Sequence, residues 1–202
     1  MSGETGVVKF QCEHVAVELA PFSGFDELNA CRRRLLQLRM IGVDACGIGY
    51  GNLSVRAGDA SQFYITGSGT GRRPQLTLAD YAHVTAYDFA RNWLRCEGRT
   101  IASSESLTHA AVYESDPQVR AVIHCHAREL WTRLLDRAPA TSADVEYGTP
   151  EMAFEVQRLF RETRVRDEQV FAMAGHPDGI VAFSATADNA FAVLMRANAR
   201  SS

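Results

Sequence analysis

Two histidines separated by one residue, His124 and His126 in Val122-Ile123-His124-Cys125-His126, stand inside a short apolar run. Alternate side chains of a β-strand share a face, so both imidazoles would project together while Ile123 and Cys125 meet the opposite layer. Such a pair can grip one divalent ion. It can equally be two hydrogen-bonded histidines at a strand end, because two ligands do not complete a site. A third donor has to come from elsewhere in the chain.

Other stretches could handle an anion or a proton. Gly47 to Arg56 is glycine-rich and then alternates, as a tight loop feeding a strand does, and within it Gly51 allows close backbone approach while Asn52 offers an amide donor. Gly67-Ser68-Gly69-Thr70-Gly71 could form a nest of N–H groups for a phosphate. It is no Walker loop, since no GKS or GKT follows, and no GxGxxG opens a helix. Ser103-Ser104-Glu105 opens a helical segment; serines there usually cap and an acid usually serves the dipole, but hydroxyls and free N–H groups at a helix start also bind phosphate while a carboxylate turns inward. His176 falls in Ala174-Gly175-His176-Pro177-Asp178-Gly179, a turn from which a side chain can reach across a sheet end.

The elements that must hold these residues follow from periodicity. Apolar positions from Phe25 to Met40 predict an amphipathic helix. Phe63 to Thr66 reads as a strand, and Thr77 caps a short helical turn starting at Leu78. His83 to Asp88 and Trp93 to Cys96 read as a hairpin, with one continuous helix from Asp80 to Cys96 as the competing reading. Leu107 to Tyr113 is helical and stops before Asp116-Pro117. Val119 to Ile123 leads the histidines as a strand, Arg128 to Leu135 returns as a helix, and Ala138 to Tyr147 is loop-like. Thr149-Pro150 is a strong helix start, with the helix running to about Arg161 and burying Met152, Ala153, Val156, Leu159 and Phe160. Val170 to Met173 and Ile180 to Phe183 are strands around the His176 turn, and a last helix spans roughly Thr186 to Ala197. Residues 1–23 read as an N-terminal arm that packs on the domain or on a neighbouring subunit, and 24–202 as one domain.

A 202-residue chain that is 46% hydrophobic has material for one sizeable core. Its net charge of -3 gives no electrostatic footprint for nucleic acid or an anionic membrane. The five cysteines show no CxxC spacing, which fits a reducing compartment, and the sequence carries no basic leader with a long apolar core and no membrane span. A cytoplasmic protein is therefore expected.

The order Gly51-Asn52, Ser68-Gly69, Ser103-Ser104-Glu105, His124-x-His126 and His176 resembles the class II aldolase/adducin family, typified by a zinc-dependent fuculose phosphate aldolase. The stretches that carry it are GNLSVR, TGSG, SSE followed by HAAVYESDP, AVIHCHA, YGTPEMA and a GH before the last strand. The resemblance implies a three-layer α/β/α fold with a central, largely antiparallel sheet, and a homotetramer. It implies His124, His126 and His176 as ligands of Zn²⁺ or another divalent metal, and Glu105 as the acid/base. Gly51, Asn52, Ser68, Gly69, Ser103 and Ser104 match its phosphate cradle. The implied activity is a metal-dependent aldolase, a carbon–carbon lyase acting on a small sugar phosphate through a metal-stabilised enediolate. Epimerases, dehydratases and decarboxylases of the same fold, or a non-catalytic adducin-like interaction domain, are the alternatives. Two stretches differ from the family pattern. The interval between His126 and His176 is shorter, where the family draws a tyrosine acid and where Tyr147 stands in this chain. His176-Pro177-Asp178-Gly179 replaces the usual His-Gly.

Overall fold

A computed structural model describes residues 9–58 and 61–199; residues 1–8 of the expected arm and the last three residues of the chain lie outside the described residues. The strands are β1 (Gln11–Ala16), β2 (Gly42–Val43), β3 (Gly49–Tyr50), β4 (Asn52–Arg56), β5 (Phe63–Thr66), β6 (Tyr81–Asp88), β7 (Trp93–Gly98), β8 (Ala121–His126), β9 (Val170–Ala172) and β10 (Gly179–Ser184). The helices are α1 (Phe25–Gln37), α2 (Ser106–Ser115), α3 (Arg128–Arg137), α4 (Pro150–Glu162), α5 (Val165–Glu168) and α6 (Ala187–Ala199), with a 3₁₀ turn at Leu78–Asp80. Eight strands form one sheet in the order β1-β7-β6-β5-β4-β8-β10-β9, and β2 and β3 pair separately. Every neighbouring pair in the large sheet is antiparallel except β1 with β7.

The sheet separates two apolar layers. On one face Val122 of β8 packs with Leu107, Ala111 and Tyr113 of α2 and with Met152, Val156 and Leu159 of α4. On the other, Ile123 and Cys125 of β8 pack with Leu28 and Leu35 of α1, Leu130 of α3 and Leu194 of α6. Strand alternation therefore sends His124 and His126 towards the α2 side, with Ile123 and Cys125 in the opposite layer, as their spacing requires.

The predicted hairpin is β6–β7, turning at Asn92, whose φ is 46° and whose N–H donates to Phe89 O (3.0 Å). Thr149 caps α4 as expected, accepting from Met152 N–H (3.4 Å), with Pro150 at the first helical position. Part of the N-terminal arm is an edge strand of the same sheet: β1 runs parallel to β7, with Gln11 opposite Trp93.

Gly51 joins β3 to β4 with φ +77°, and a Cβ there would lie 2.4 Å from Ile41 Cγ2 and 3.1 Å from His124 O. Gly51→Ala is expected to cost about 3 kcal/mol, because it adds left-handed strain to an overpacked contact. A shift in the urea midpoint worth less than roughly 0.5 kcal/mol would show that the β3–β4 junction yields freely.

Candidate metal centre

The three imidazoles come from adjoining pieces of backbone. In the register of β4, β8 and β10, Asn52 lies opposite His124, and His126 lies opposite Gly179. His176 stands in the turn before β10, which is closed by His176 N–H to Met173 O (3.0 Å) and Gly179 N–H to His176 O (2.9 Å). That turn presses on the loop preceding α4: a Cβ on Gly175 would sit 1.9 Å from Val145 O.

The Nε2 atom of His126 lies 3.2 Å from that of His124 and 3.1 Å from that of His176. Nitrogens at about 2.0–2.1 Å from one tetrahedral zinc would stand roughly 3.3 Å apart, so the spacing suits a single ion. His124 Nδ1 is 3.2 Å from Ile180 O, a contact that places the ring proton on Nδ1 and leaves the Nε2 lone pair facing its neighbours. Burial pulls all three below the usual imidazole range, His126 to about 4 and His176 to about 3, with His124 further depressed by the two other rings. Neutral and converging, with His124 buried and the other two partly so, His124, His126 and His176 can hold a divalent metal.

Glu105 sits immediately before α2 on the same side of the sheet and is 2% exposed. Its carboxylate makes no cap bond. Oε2 accepts from the Thr108 hydroxyl (2.9 Å), while Oε1 is buried with no partner among the described residues. Burial raises its pKa to about 7, against the opposing pull of the Thr108 hydrogen bond and the positive charge of Lys9. A carboxyl poised there can both take and give a proton near neutral pH.

One cavity of about 670 Å³ is lined by Glu105 and the three histidines and also by Gly51, Asn52, Ser68, Gly69, Ser103 and Ser104, together with Tyr50, Tyr147, Arg128 and Asp178. Asn52 Oδ1 is buried with no partner among the described residues. Ser68 N–H donates to Ile101 O (2.9 Å), so the expected nest lacks that group and Ser68 offers its hydroxyl instead. Asp178, at φ 68°, pairs with Arg128 (3.2 Å) beside the triad.

Several supporting residues carry no motif. Arg32 of α1, 2% exposed, donates to Thr70 O (2.6 Å) and to Arg73 O, pinning the loop that bears Ser68 and Gly69. Asp80 holds the far end of that segment, pairing with Arg73 and accepting from Thr77 N–H (2.8 Å). Ser54 Oγ lies 2.7 Å from both His109 Nδ1 and Tyr113 OH, tying β4 to α2 and so fixing the helix that follows Glu105. Burial lowers the pKa of His109 to about 3, so the ring is neutral at pH 7. Tyr50 places its ring 5.3 Å from that of His126. The signal available for these was only a polar residue at a core position, Ser54 and His109 among apolar neighbours and Arg32 beside Leu28, Cys31 and Leu35 on the buried face of α1.

No curated protein matches the chain in sequence. Among solved structures, an L-fuculose 1-phosphate aldolase superposes with a TM-score of 0.66 at 21% identity, covering 90% of this chain and 84% of that one. YgbL from Klebsiella pneumoniae, described as a putative aldolase/epimerase/decarboxylase, gives 0.63 at 18% identity over 86% and 84%. A sugar-phosphate aldolase from Thermotoga maritima gives 0.60 at 14% identity over 89% and 96%. These likenesses establish the fold, an α/β architecture whose mostly antiparallel eight-stranded sheet is flanked by helices. The family model for the class II aldolase and adducin N-terminal domain matches residues 42–199, and this chain, with its three converging histidines, belongs to that family.

Proposed function

We propose that this chain is a zinc-dependent lyase of the aldolase type, acting on a small sugar phosphate. The observation that carries this reading is the buried Glu105, with a free Oε1, in the same cavity as the His124, His126 and His176 cluster. A domain kept only for interaction has no need of a buried carboxylate with one unsatisfied oxygen beside three neutral imidazoles.

His124, His126 and His176 would hold the ion. The metal supplies a Lewis acid that stabilises negative charge developing on the substrate, commonly worth several kcal/mol. Glu105 moves a proton to or from the carbon beside the carbonyl, with the Thr108 hydroxyl holding its other oxygen. Gly51, Asn52, Ser68, Gly69, Ser103 and Ser104 bind the phosphate, the Asn52 amide and the serine hydroxyls donating to it.

The test is a panel of small sugar phosphates and their unphosphorylated counterparts, assayed for carbonyl release on protein of measured metal content. Near-stoichiometric zinc with release of an aldehyde from a phosphorylated ketose is the expected result. Less than about a tenth of an equivalent of metal per chain, after purification without chelators, would sink the enzyme reading. Carbon dioxide release or isomerisation with full metal would keep the centre and move the reaction to a decarboxylase or epimerase.

A further inference from the structure

We propose that Lys9 is a positioning residue of the metal centre, its ammonium holding the Tyr147 ring against His176. The proposal rests on the metal reading of the histidine cluster and extends it to a residue outside the family-model match.

Lys9 lies just before β1 and reaches the loop preceding α4. Its Nζ donates to Tyr147 O (3.2 Å), pairs with Glu146 Oε1 (3.2 Å) and stands 3.7 Å from the centroid of the Tyr147 ring. The centroid of that ring is also 4.2 Å from that of the His176 ring, and both residues line the cavity. The phenol ring thus touches both the ammonium and, at a tilt of 35°, the proposed ligand imidazole. Asn92, at the β6–β7 corner, fastens both ends of the contact, its Nδ2 donating to Lys9 O (3.1 Å) and to Gly148 O (3.3 Å).

His176 has particular need of such support. His124 and His126 ride on a strand hydrogen-bonded to both neighbours, whereas His176 comes from a turn. Its ring direction is set by what packs beside it, and groups that orient a ligand imidazole tune metal affinity as well as geometry. A lysine that merely closed a surface loop would need the carbonyl and carboxylate bonds alone. The aromatic contact is the part that reaches the centre. The charge also extends to buried Glu105, where it favours the carboxylate form.

The experiment compares Lys9→Met, which keeps an apolar stem, and Lys9→Arg, which keeps the cation, each in the wild-type and the Tyr147→Ala background. Metal affinity is read by chelator competition, and ligand geometry by the visible spectrum of the Co²⁺-substituted protein. Lys9→Met should weaken binding by about threefold to tenfold and alter the cobalt bands, while Lys9→Arg stays within about twofold of wild type. In the Tyr147→Ala background Lys9→Met should add nothing, because the ring that transmits it is gone. A Lys9→Met protein with wild-type affinity and spectrum would overturn the proposal, as would an undiminished effect without Tyr147. If the wild-type chain itself binds no metal, the functional reading fails and this one with it. Normal wild-type binding beside an unaffected Lys9→Met sinks this inference only.

Discussion

Glu105→Gln should leave metal content unchanged and lower kcat by a factor of about 10³, since a positioned acid/base commonly contributes 10²–10⁴. The amide is nearly isosteric and can keep the Thr108 contact, but it cannot shuttle a proton. The same substitution should make the metal-free protein more stable, in a pH-dependent way. Burial raises the Glu105 pKa from 4.5 to about 7. The folded state therefore holds this proton more tightly than the unfolded chain, and wild-type stability is highest below the unfolded pKa and declines as pH rises through the folded one. The difference between Glu105→Gln and wild type should accordingly be small near pH 4 and grow to roughly 3 kcal/mol by pH 8. Urea midpoints of metal-free protein at the two pH values measure it. Equal differences at both would mean that the carboxylate is solvated, and surviving turnover would remove Glu105 from the chemistry.

His176→Ala is the second large effect, and it should separate metal binding from folding. If His176 is one of three ligands, its removal costs more than removal of an orienting neighbour, so affinity should fall by more than about 100-fold. Stability of the metal-free protein should move by less than roughly 1 kcal/mol, because His176 sits in a turn, outside both apolar layers, and is only partly buried. Equilibrium dialysis against zinc, paired with thermal melts in chelator, reads both quantities. Unchanged occupancy would strike His176 from the ligand set.

Much of the frame was legible because it is written in local rules. The parity of His124 and His126 follows from strand alternation, the start of α4 from Thr149-Pro150, and the β6–β7 hairpin from alternating residues on both sides of a turn. What escaped depends on partners distant in the chain. β1 has the short apolar-polar pattern of many segments, and only β7, some eighty residues on, makes it a strand. Arg32 reads as one of three consecutive arginines, and its burial against the Thr70 and Arg73 carbonyls is a tertiary fact. The bond between Ser54 and His109 similarly needs β4 and α2 to meet first. Tyr147 and Asp178 were visible as departures from a family pattern, but the cavity assembles them from the loop before α4 and the turn before β10.

The placement of β8 between two antiparallel neighbours also bears on misfolding. A one-residue slip of this strand would rotate His124 and His126 into the layer of α1 and α6 and thrust Ile123 and Cys125 into the cavity. Chains paired out of register would lose both histidines from the cavity at once while retaining much of their secondary structure. On the proposed reading, metal uptake during refolding would distinguish the correctly threaded sheet from compact forms that circular dichroism alone would count as native.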